Sequence, residues 1–197
     1  KRQELYAIQE AMTGAAGGYS IANLSFVDSF SVSSQESAVA GVAFNTDGTK
    51  MFISGYNGVE VNEYALSTGF DVSTASYTRN YSVSSQVAYP YGITFNNDGT
   101  KMFLTDAGSG DDVNEYALST GFDISTASYT RNFSVGSQDT SPRDIKFNSN
   151  GTKMFVVGKT GSDINEYTLS TGFDISTASF VDSFSVSSQD ALSLIHI

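Results

Sequence analysis

The chain of 197 residues carries 10 basic and 21 acidic residues, a formal charge of −11, and its cations are scattered singly apart from Lys1-Arg2. That distribution excludes the clustered positive charge that a nucleic-acid backbone or an anionic membrane surface requires, and no apolar run reaches the length of a membrane-spanning helix. Without cysteine there is no disulfide framework and no thiolate nucleophile or metal ligand, while 40% hydrophobic residues, with Phe and Tyr as the aromatics, suffice for a packed core.

In chain order, residues 1–17 stand apart. Leu5, Ile8 and Met12 fall at i, i+3 and i+7, the spacing of a short amphipathic helix. From residue 18 a repeat takes over: GYSIANLSF (18–26), GFDVSTASY (69–77), GFDISTASY (121–129) and GFDISTASF (172–180) close on Phe26, Tyr77, Tyr129 and Phe180, which lie 51, 52 and 51 residues apart. A period of that length marks an array of supersecondary units, here about 36–86, 87–138 and 139–189.

Within one unit four short segments read as strands. GITF (92–95) and KMFLTD (101–106) flank NNDG, a tight hairpin loop in which Asn and Asp make side-chain turns and Gly supplies positive φ. DVNEYAL (112–118) alternates, and YTRNFSV (129–135) alternates again after the loop STGFDISTAS. Four antiparallel strands with apolar residues on both faces describe a sheet sandwiched between two others, the blade of a β-propeller. The expected fold is therefore all-β, an incomplete ring of four-stranded blades.

The strings GVAFNTDGTKMFISG, GITFNNDGTKMFLTD and DIKFNSNGTKMFVVG, each followed by a VNEY- or INEY-type strand, resemble the blades of NHL and YVTN-type β-propellers. The third departs from that pattern at Asp144, in place of Gly, and at Asn150, in place of Asp. The resemblance covers roughly residues 18–190 and implies a fold without implying an activity, since such propellers include enzymes, ligand binders and scaffolds.

Comparing copies separates architecture from variation. Met51, Met102 and Met154, Phe52, Phe103 and Phe155, Tyr64, Tyr116 and Tyr167, and Leu66, Leu118 and Leu169 recur and are expected between blades. Lys50, Lys101 and Lys153 recur with Glu63, Glu115 and Glu166, as one ion pair per blade or as a solvated edge. Asp71, Asp123 and Asp174 are expected to cap a turn rather than to bind calcium, since each loop offers one carboxylate and calcium needs several oxygens. The loops joining strands one to two and three to four are nearly constant, whereas SGYNGVE, TDAGSGDD and VGKTGSD, and ESAVAG, VAYPYG and DTSPRD, differ in every copy.

Recognition on a rigid scaffold is commonly carried by such variable loops. The candidate ligand-binding residues are Tyr56, Tyr89, Tyr91, Asp106, Asp111, Asp112, Asp139, Arg143, Asp144 and Asp163. Aromatics beside carboxylates suit a carbohydrate; a protein ligand is the other partner expected, and packing of the tyrosines between blades is the structural alternative. The expected function is a binding or adhesion scaffold without a cofactor, on an extracellular, cell-surface or virion-surface protein. A purely structural repeat scaffold and a carboxylate- or calcium-dependent hydrolase of lactonase type, built from Asp106, Asp111, Asp112 and Asp144, are the alternatives. No Ser-His-Asp triad is expected, because the one histidine is His196. It lies in LSLIHI (192–197), which breaks the alternation, resembles a translated sequencing-library adapter and is expected to be non-native. With no initiator Met, the chain reads as an internal piece holding three blades and one leading outer strand, with exposed blade faces that invite self-association.

Overall fold

A computed structural model describes residues 25–108 and 110–188. The expected helix over residues 1–17 and the expected tail at 192–197 lie outside them.

Among the described residues twelve strands form three antiparallel four-stranded sheets, each in sequence order. The first blade comprises β1 (Val39–Phe44), β2 (Lys50–Gly55), β3 (Glu60–Leu66) and β4 (Ala75–Ser82). The second comprises β5 (Pro90–Phe95), β6 (Lys101–Asp106), β7 (Asp112–Leu118) and β8 (Ala127–Ser134). The third comprises β9 (Pro142–Phe147), β10 (Lys153–Gly158), β11 (Asp163–Leu169) and β12 (Ala178–Ser185). The innermost strands β1, β5 and β9 are neighbours from blade to blade. The architecture is a β-propeller arc. The fourth strands begin two residues earlier than the alternation of YTRNFSV suggests, because a 3₁₀ turn such as Ile124–Thr126 runs straight into the strand.

The core lies between the blades. On β2 the Met and the Phe of KMF point to opposite faces. Met51 packs with Ile53, Tyr64 and Leu66 beneath Phe30 and Val32 of the leading segment. Phe52 faces forward into a cluster with Ile93, Met102, Leu104 and Tyr116 of the second blade. Phe103 repeats this against Ile145, Met154, Val156 and Tyr167 of the third. Tyrosine edges complete each junction: Phe30 on Tyr64, Tyr81 on Tyr116 and Phe133 on Tyr167, with centroids 5.7, 6.0 and 5.6 Å apart. Each fully buried large side chain contributes about 1.5–3 kcal/mol, so most of the apolar stabilisation exists only where two blades meet.

The loops on one face are held by repeated polar devices. Asp71, Asp123 and Asp174 cap the 3₁₀ turns by accepting from the N–H of Ser73, Ser125 and Ser176 at 3.1, 3.0 and 3.1 Å. Lys50 and Lys101 pair with Glu63 and Glu115 at 3.0 and 2.9 Å. Each ammonium also donates across the junction, to the Phe122 carbonyl at 2.6 Å and the Phe173 carbonyl at 2.7 Å. Arg79 reaches Asp123, and Arg131 reaches Asp174, both at 2.9 Å. Glycine is required in the first hairpin: Gly99 sits at φ 72°, and a Cβ there would lie 2.2 Å from the Phe122 ring.

Candidate ligand-binding face

The strand order places the loops joining β2 to β3, β6 to β7 and β10 to β11 on the same face as the connections from one blade to the next. One tie in each blade sets their relation. In the first blade the buried Glu36 accepts from the N–H of Ala38 at 2.6 Å and of Gly58 at 3.0 Å. In the third, the buried Asp139 accepts from Ser141 and Gly161, both at 2.6 Å. In the second, Val87 stands at the equivalent position and the carboxylate comes from the other side: Asp106, at the end of β6, accepts from Ala88 at 3.2 Å, Tyr89 at 2.8 Å and Gly108 at 2.9 Å. Where the acid is on the inter-blade connection, the strand end is glycine. A Cβ on Gly55 would meet Glu36 at 2.4 Å, and one on Gly158 would meet Asp139 at 2.0 Å. One space therefore holds one carboxylate, supplied from either loop.

Three further acids of this face are also engaged, whereas the Asp111 Oδ1 is buried without a hydrogen-bond partner among the described residues. Asp112 is buried and accepts from Asn114 at 2.6 Å and from Asn132. Burial pushes its carboxyl above the usual range, the charges of Asp106 and Asp111 add to the effect, and the two amides oppose it. Asp163, half-buried, accepts from Asn165 at 2.8 Å and is likewise pushed up, chiefly by burial. Asp144 pairs with Lys146 at 3.3 Å. Asp111 has φ 45°, the same left-handed conformation as Val59 at 50° and Ser162 at 49° in the matching loops. In each copy that turn aims the residue's carbonyl at the N–H of Val83, Val135 or Val186, at 3.1, 2.9 and 2.9 Å. Left-handed backbone costs an ordinary residue roughly 1–2 kcal/mol, which the hydrogen bond offsets in part. Among the described residues no group of three carboxylates or histidines is arranged to hold a metal ion.

The tyrosines and Arg143 come together across all three blades. Tyr56, after β2, lies 5.5 Å from Tyr91 on β5 and 6.5 Å from Tyr89, centroid to centroid. The Arg143 guanidinium, from β9, sits 3.8 Å above the Tyr91 ring. This is a cation–π contact that fixes both side chains. The Nε of Arg143 is shielded from solvent and has no acceptor among the described residues. Tyr56 is 40% exposed and Tyr89 50% exposed, so the ladder has an open end. Of the ten candidate residues, four thus form one surface, while Asp106, Asp112 and Asp139 are buried and hold loops and strand ends in place. Glu36 was missed by sequence reasoning. Its signal was present in the copies, as an acid on the inter-blade connection wherever the second strand ends in glycine.

No protein-family model matches the chain, and no curated protein matches it. Solved structures do. A putative 6-phosphogluconolactonase from Bacteroides fragilis is 15% identical with a TM-score of 0.53, over 74% of this chain and 38% of that one. The periplasmic gluconolactonase of Pseudomonas aeruginosa is 14% identical with a TM-score of 0.50, over 73% and 38%. The β-propeller domain of Cps50 from Myceliophteria thermophila is 8% identical with a TM-score of 0.50, over 75% and 43%. This chain spans about two fifths of the length of these structures. Likeness at such identities is one of fold, and the fold is that of a β-propeller. No helix among the described residues is long and apolar enough to cross a membrane.

Proposed function

We propose that this propeller is a binding module and that the ladder of Tyr56, Tyr89, Tyr91 and Arg143 is its recognition surface, taking a carbohydrate. The observation that carries this reading is the open end of the ladder. Two large aromatics remain 40% and 50% exposed at the junction of two blades, beside a third ring held in place by a stacked guanidinium. Rigid aromatic faces give contact area at little entropic cost, and the tied loops beneath them keep the rings in register before a ligand arrives. The blades are, on this reading, relatives of the NHL and YVTN type, which the string GITFNNDGTKMFLTD supports. Richness in Ser, Thr, Asn and Gly with net negative charge supports display outside the cell.

The test is a printed array of neutral and acidic oligosaccharides probed with the wild-type chain and with a Tyr56→Ala/Tyr89→Ala variant. Saccharide binding weakened about tenfold or more in the variant, with the β-sheet circular dichroism of the wild type retained, is the expected result, since each stacked ring is worth about 0.5–1.5 kcal/mol beyond its buried area. A wild-type chain that retains no saccharide, or a variant that binds as well, overturns the reading.

A further inference from the structure

The eleven residues SFVDSFSVSSQ occur twice, at 25–35 and at 179–189. The first copy lies on the leading face of the first blade, where Phe30 meets the Tyr64 ring at 5.7 Å and Phe30 and Val32 cover Met51, Ile53 and Leu66. Phe30 does there what Tyr81 and Phe133 do at the two internal junctions. Residues 179–185 of the second copy lie in β12, on the trailing face of the third blade, and none of the described residues covers that face as Phe30 covers the first: Phe184, the counterpart of Phe30, is 68% exposed. Beside it, Phe155 and Ile164 are half-buried, whereas their counterparts Phe52, Val61, Phe103 and Val113 are fully buried.

We infer that the trailing face of the third blade docks on the first blade of a second copy of this chain, replacing residues 25–35 of that copy. The exchange sets Phe184 and Val186 where Phe30 and Val32 stand, with the same sequence in the same register, so those contacts are conserved. The gain is the burial of Phe155 and Ile164, as at both internal junctions. Two features distinguish the new junction from the internal ones. At Gly41 and Gly92 a Cβ would lie 2.5 and 2.6 Å from the next inner strand, and the third blade carries Asp144 there instead. The partner's β1 therefore stands farther from β9 than β9 does from β5, and β10, β11 and β12 carry the contact. Arg79 and Arg131, which reach forward to Asp123 and Asp174, are also replaced by Asp182, so the new junction lacks their ion pair.

That missing pair provides the test. Sedimentation velocity over a wide concentration range measures association of the wild-type chain and of variants. Phe184→Asp changes an exposed residue and is expected to weaken association about tenfold to a hundredfold. Phe30→Ala loosens the competing segment and is expected to strengthen it. Asp182→Arg restores the forward cation and is expected to strengthen association several-fold through Asp71 of the second copy, a gain that Asp71→Ala abolishes. A wild-type chain that is monomeric at every concentration overturns the proposal. So does association indifferent to Phe184→Asp, or a gain from Asp182→Arg that survives Asp71→Ala, because the third blade would then be meeting something other than a first blade.

Discussion

The single carboxylate that ties two loops in each blade leads to a cycle of substitutions with opposite signs. In the second blade, Asp106→Gly removes the acceptor of three backbone N–H groups, from Ala88, Tyr89 and Gly108. A hydrogen bond to a charged group is worth about 1.5–3 kcal/mol net, but the loops lie at the surface and water replaces part of the loss. The expected destabilisation is about 2–4 kcal/mol, or a fall in melting temperature of roughly 5–15 °C for a chain of this size. Val87→Asp alone adds a second acid to a space that holds one, next to the buried Asp106, and is expected to cost at least as much. Together the two substitutions recreate the arrangement of the third blade, Asp139 over Gly158. The double variant is expected to regain part of the stability lost by Asp106→Gly. The remaining deficit is the apolar burial of the Val87 side chain, about 1.5 kcal/mol. Urea denaturation of the four proteins at neutral pH measures the coupling energy, expected to be at least about 2 kcal/mol. Additive losses would refute the claim that the two positions supply the same carboxylate.

Two further predictions follow from local geometry. Gly99→Ala places a methyl group against the Phe122 ring at a positive φ, and a loss of about 2 kcal/mol or more is expected in the same denaturation assay. Asp112 has a folded-state pKa raised above its unfolded value, so its contribution favours folding below the unfolded pKa and is lost as pH rises through the folded one. Asp112→Asn should therefore raise the melting temperature at pH 7, with the difference from wild type disappearing below about pH 4, where the unfolded carboxyl is protonated; a loss of stability at pH 7 would show that the two amide hydrogen bonds outweigh burial.

The blades were legible because three near-copies of one unit repeat the same punctuation. NNDG announces a hairpin, and KMF alternates its faces as a strand must. The Asp71 series could be read as caps because one acid per loop suits a turn and little else. The site was legible only in outline. Variation among the loops identified the face, yet nothing local to Tyr56, Tyr91 or Arg143 says that they stack, since each belongs to a different blade and the contact depends on how sheets twist past one another. The acids misled for a related reason: Asp106 and Asp139 stand in the most variable loops, and variability conceals that each replaces the other in a conserved tie. Nor does the sequence announce that Asn114 and Asn165 donate to the acid two residues before them, an arrangement set by the pleat, which places residues i and i+2 on one side.

The lysines of the second strands give the arc a direction. Lys50 and Lys101 each complete their bonding only when the following blade has built the loop that offers the Phe122 or Phe173 carbonyl. Neither the first blade nor the second is finished by its own residues alone, and each such debt points toward the C-terminus. Units linked in this way behave as a one-dimensional chain of nearest neighbours. Amide exchange should accordingly be slowest in β6 and β7 of the middle blade, which has a partner on each side, and opening should spread inward from the third blade, whose Lys153 reaches, among the described residues, its own Glu166.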